Sequence, residues 1–130
     1  MVQDYGKTEA FAYGNDPIVI RVYGKSIING RMLEVDGYTP EFIRMGQIII
    51  RDETNGVSKP LPITEQGAYG TLPQGFVYEG VAKATVSKDE PFVGVMYEGE
   101  VNDLASPYPL TPELLTALKS ALPELAFKHS

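Results

Sequence analysis

Hydrophobic residues along this chain come in short runs separated by glycine, proline and Asn-Gly or Asp-Gly pairs, the spacing of strands joined by turns. "IVIRVYG" from Ile18 is dense in β-branched residues and predicts a strand. "SIINGRMLEV" predicts a hairpin, because Asn29-Gly30 tolerates the two positive φ angles of a type I′ turn. Asp36-Gly37 supplies a further turn, and Thr39-Pro40-Glu41 predicts a single helical turn. "QIIIRDETNGVSKPLPI" predicts an apolar strand over 48–50, a turn at Asn55-Gly56 and a return from Val57 that Pro60 and Pro62 confine to a sheet edge.

The glycine-rich loop over 65–75 leads into "FVYEGVAKATV", where a period of two predicts a half-buried strand. Phe76, Tyr78, Ala82, Ala84 and Val86 share one face, with Val77, Glu79, Val81 and Lys83 on the other. After the turn "SKDEP", "FVGVMYEGEV" returns with Val93, Val95, Tyr97 and Val101 on one side and Met96, Glu98 and Glu100 on the other. Tyr-Glu-Gly occurs at 78–80 and again at 97–99, which points to a shared sheet position rather than a solenoid repeat.

Only one segment carries a helical period. Thr111 caps a helix over 112–121, Pro112 suits its first position, Glu113 meets the positive end of the dipole, and Leu114, Leu115, Leu118 and Leu122 form its apolar stripe. Pro123 ends it, and "ELAF" adds a short closing strand. The predicted fold is β-rich, mainly β with one C-terminal helix, arranged as a small β-barrel or sandwich.

Residues 1–16 lack any period and carry the sparse aromatics Tyr5, Phe11 and Tyr13. They form a flexible N-terminal arm, either a frayed terminus or a segment that orders on a partner with those aromatics as anchors, and 17–130 form a single β-rich domain.

Composition narrows the functional classes. Thirteen glycines and ten prolines in 130 residues suit short strands and many turns. The net charge of −6, with no Lys/Arg run to offset it, argues against a nucleic-acid partner. The absence of cysteine removes disulfides, thiolate metal sites and cysteine nucleophiles. No apolar run approaches a membrane span, and the first ten residues lack the basic and apolar regions of a signal peptide, so a soluble product made in the cytoplasm is expected.

Motifs for chemistry are thin. Gly24-Lys25-Ser26 lacks the earlier glycine of a phosphate loop, since Val19 stands there, and it falls in a β region. "DETNGV" from Asp52 has Val57 where a calcium loop needs glycine and Ile63 where it needs an acid. Glu98 and Glu100 on one strand face fall within the ~5–10 Å separation used by glycoside hydrolases, although neighbouring acids on one strand usually make a solvated face. The only histidine is His129, next to the C-terminus, and none of the six serines lies in a nucleophile elbow. No catalytic residue, metal ligand or cofactor is therefore predicted.

Over about residues 48–128 the succession "IIIRDETNGVSKPLP", "LPQGFVYEGVAKATV", "PFVGVMYEGEVND" and "SPYPLTPELLTALKSALPELAF" resembles that of phage head-fibre proteins. The related lambda-type capsid decoration proteins share a glycine-led strand, a second Gly-Val strand and a closing helix, here Gly75 to Val86, Gly94 to Val101 and Leu114 to Leu122. The resemblance implies a virion structural protein with no enzymatic activity, a homotrimer on the outer face of the capsid that binds the major capsid protein. It implies that the arm residues Tyr5, Phe11 and Tyr13 meet the capsid, although Asp4, Glu9 and Asp16 and the few β-branched residues there depart from a strand-pairing arm. Tyr69, Phe76, Met96 and Tyr108 are the expected trimer or partner surface. The competing expectation is an adhesion module that recognises a protein or glycan through the tyrosine-bearing loop around Tyr69.

Overall fold

The computed structural model describes residues 18–128. In chain order its strands are β1 (Ile20–Tyr23), β2 (Arg31–Met32), β3 (Phe42–Ile43), β4 (Ile48–Asp52), β5 (Ser58–Pro60), β6 (Phe76–Ala82), β7 (Val86–Ser87), β8 (Phe92–Val93), β9 (Val95–Met96) and β10 (Gly99–Val101). The helix α1 (Pro112–Ala121) and a last strand, β11 (Leu125–Phe127), complete the fold. The domain is mainly β, with curled sheets forming a half-barrel.

Its centre is the antiparallel sheet β5-β4-β6-β9. Ile48, Ile49 and Ile50 on β4 are all fully buried, because the sheet is covered on both faces. Ile48 and Ile50 join one core cluster with Val81, Met96, Val101, Leu118 and Phe127, while Ile49 joins a second with Leu33, Ile43, Ala82, Val93 and Val95. Each buried isoleucine contributes about 1.5–3 kcal/mol relative to exposure. Pro60 lacks an N–H to donate, and β5 duly lies at the sheet edge.

Covered faces account for one departure from the sequence reading. Met96, expected opposite the valines on a polar side, is fully buried in the larger cluster, while its neighbour Val95 is buried in the smaller one. The expected continuous strands also break at corners. Residues 76–86 divide into β6, paired with β4 and β9, and β7, paired with β3. Residues 92–101 divide into β8, β9 and β10, which pair with β2, β6 and β1 respectively.

Asn29 (φ 67°) and Gly30 (φ 69°) both take the left-handed conformation, as the sequence predicts, but they make no hairpin. Ser26 bridges Met96, and beyond the turn Arg31 and Met32 pair with Val93 and Phe92. The chain therefore keeps one direction along the 92–96 segment, and Ile28 and Asn29 are extruded from it between Ile27, whose N–H donates to Val95 O at 2.8 Å, and Arg31. No helical turn forms at 39–41, where a bend leads straight into β3 so that Ile43 reaches the second cluster.

Thr111 Oγ1 accepts the Leu114 N–H at 3.1 Å, capping α1 as expected. Such a cap contributes about 1 kcal/mol. The helix buries Leu118 and is the crossover that brings β11 parallel to β10.

Candidate interaction surfaces

β2 and β8 form a two-stranded ribbon that the sequence did not mark as special. Met32 and Phe92 are directly opposed on it, and the Phe92 ring lies over Gly30 of the extruded turn. Ile28, Met32 and Phe92 are 84%, 64% and 53% exposed, Met32 and Phe92 as a cross-strand pair and Ile28 on the turn beside them, an apolar row along turn and ribbon. Val57 adds to it from the turn before β5.

The ribbon is pinned from beneath by a buried polar group. β6 carries a bulge between the pairs Ile49↔Gly80 and Ile50↔Tyr78, and the extra residue is Glu79. Its carboxylate, 6% exposed, accepts Arg31 Nε at 3.1 Å and Arg31 Nη2 at 3.0 Å on Oε2. Ser58 Oγ donates to the other oxygen at 2.7 Å. Charge-assisted bonds of this kind are stronger than neutral ones, and their directions hold β2, β5 and β6 in one arrangement. In sequence, the only hint was an acid in an otherwise apolar strand. Its arginine and serine partners are distant along the chain.

A second surface gathers tyrosines. The Tyr69 and Tyr108 rings stand 5.3 Å apart at 60°, and Tyr69 Oη accepts the Ile48 N–H at 3.1 Å. Tyr38 Oη accepts from Gln47 Nε2, and Gln47 Oε1 accepts the Arg44 N–H at 3.0 Å. Burial pushes the Tyr38 phenol up to about 12 and the Tyr69 phenol higher still, so both are neutral hydrogen-bonding groups. Beside them runs a groove lined by Pro62, Ile63, Tyr69, Pro73, Pro109 and Leu114.

Of the expected surface residues, the structure brings Tyr69 and Tyr108 together. Phe76 packs against the same core cluster as Tyr69, with Lys59 Nζ 4.7 Å above its ring. Met96 is a correction: fully enclosed, it offers no surface in the single chain. Tyr5, Phe11, Tyr13 and His129 lie outside the described residues.

Glu98 and Glu100 are separated by Gly99 at φ 146°, which breaks their alternation, and Glu100 pairs with Lys128 at 3.0 Å. Among the described residues no group of three or more acids or histidines is placed to hold a metal, and no helix is long and apolar enough to cross a membrane. No family model matches the chain, and comparison with curated proteins and with solved structures returns no match.

Proposed function

We propose that this chain is a structural protein of a phage virion, a homotrimeric capsid decoration or head-fibre protein that binds the major capsid protein on the outer surface of the shell and stabilises it. It is made in the host cytoplasm and acts without catalysis, nucleic acid or membrane. The observation that carries the reading is the exposed row Ile28, Met32 and Phe92 on a ribbon held rigid by the Arg31–Glu79 pair. Contiguous exposed apolar side chains mark protein contacts, and a pinned ribbon loses little freedom on docking. The resemblance over about residues 48–128 supplies the partner.

Three copies around an axis present three identical surfaces, so weak contacts multiply through effective concentration. Binding the assembled lattice in preference to its separated pieces shifts the equilibrium toward the shell. Light scattering of the purified protein, followed by sedimentation with empty shells, tests the reading. A trimer that co-sediments supports it, and a monomer that stays in the supernatant refutes it.

The groove beside Tyr69 and Tyr108 favours a second reading, a non-catalytic adhesion module that takes a protein or glycan. Capture of such a ligand that is lost in Tyr69→Ala, without shell binding, would select it.

A further inference from the structure

We infer that Asn29 is a self-modifying residue, whose side-chain amide converts to aspartate or isoaspartate in the folded protein well ahead of Asn55. The chain has two Asn-Gly pairs, 29–30 and 55–56, and both asparagines are exposed. The reaction needs only the following glycine and water. The Gly30 backbone nitrogen attacks Asn29 Cγ, an N–Cγ bond forms, the Cγ–Nδ2 bond breaks, and ammonia leaves with the amide proton. Water then opens the cyclic imide at either carbonyl, giving aspartate or a backbone routed through the side chain.

The attacking nitrogen must first be freed, and the two sites differ in what holds it. The Gly30 N–H donates to Ile27 O at 3.2 Å, a long bond, and among the described residues no hydrogen bond engages the Asn29 side chain. Asn29 already holds a left-handed φ of 67°, on an extruded turn whose neighbour Ile28 is 84% exposed. At the other site the Gly56 N–H donates to Asp52 O at 2.8 Å, and the Asp52 N–H donates to Val57 O at 2.8 Å. Asn55 Oδ1 itself accepts the Val57 N–H at 3.0 Å, and Asp52 Oδ1 accepts the Thr54 N–H at 2.8 Å. Local opening therefore costs more around Asn55.

The product adds a negative charge, and in the iso form an extra backbone methylene, beside the apolar row of Ile28, Met32 and Phe92. This chemistry is independent of what that row contacts.

The test is peptide mass mapping of the folded full-length protein after incubation in mildly alkaline, oxygen-labelled water, with a parallel sample in denaturant. Roughly tenfold faster conversion at Asn29 than at Asn55 is expected in the folded sample, the factor supplied by one or two hydrogen bonds of ordinary net strength. The rates should converge in denaturant, and label should enter the products. Asn29→Gln, less stable than the parent because glutamine is strained at this left-handed position, should remain folded and lose the fast component. Comparable folded-state rates at the two sites, faster conversion at Asn55, or a fast component that survives in Asn29→Gln would each overturn the inference.

Discussion

Arg31 and Glu79 are 48 residues apart in the chain, yet the guanidinium and carboxylate meet at 3.0 Å beneath the exposed ribbon. The contact forms at the residue that β6 spends on a bulge, where the Glu79 side chain meets Arg31 of β2 and Ser58 of β5. Ser58 occupies the remaining carboxylate oxygen.

Removing one side of that pair should be costly. Glu79→Ala leaves Arg31 and Ser58 without their acceptor, and an expected loss of about 2–3 kcal/mol in urea unfolding follows, below the full buried-pair value because the Arg31 side chain is 34% exposed. A double-mutant cycle with Arg31→Met should return a coupling above ~1 kcal/mol. Additive effects of the two substitutions would show that the pair does not hold the ribbon.

Alkaline pH should weaken the fold through the buried phenols. The Tyr38 phenol, raised from 10.0 to about 12 by burial, binds its proton more tightly folded than unfolded. Its contribution is thus complete below pH 10 and is lost as pH rises from there to about 12. Tyr69, raised further by burial, adds a loss that also begins near pH 10 and continues to higher pH. Denaturation midpoints measured across this range should fall, and less steeply in Tyr38→Phe. An unchanged slope in that variant would contradict the assignment.

Gly80 and Gly99, the glycines of the two Tyr-Glu-Gly echoes, sit at close strand approaches. An added Cβ would stand 2.3 Å from Met96 O at Gly80 and 2.4 Å from Val22 O at Gly99. Gly80→Ala must push β6 and β9 apart, so a loss of about 1–3 kcal/mol is expected in urea unfolding. Parent-like stability would mean that the strands separate freely there.

These same residues mark what the sequence discloses and what it conceals. The helix from Pro112 was legible because its signals are local: a capping threonine, a first-turn proline and a leucine stripe. The turns at Asn29-Gly30 and Asn55-Gly56 were legible for the same reason. Partners were not. The left-handed pair at 29–30 serves a hairpin or an extrusion equally well, and only the 92–96 segment decides between them. Met96 was misplaced because alternation assumes one wet face, whereas β9 is covered on both sides. Glu79 was grouped on one face with Val77, Val81 and Lys83, and a period of two does not anticipate the bulge at which it sits. Of the candidate surface, Tyr69 and Tyr108 were visible as loop aromatics, while the row of Ile28, Met32 and Phe92 looked like ordinary strand residues.

The central claim is that this row docks the protein onto a capsid. Its most direct test is sedimentation of the protein with empty phage shells, parent beside Ile28→Asp/Phe92→Asp. Both side chains are more than half exposed, so the variant should fold with near-parent stability. The account predicts saturable binding by the parent as a trimer and loss of at least about tenfold in affinity for the variant. Equal binding by the two proteins, or none by either, would contradict it.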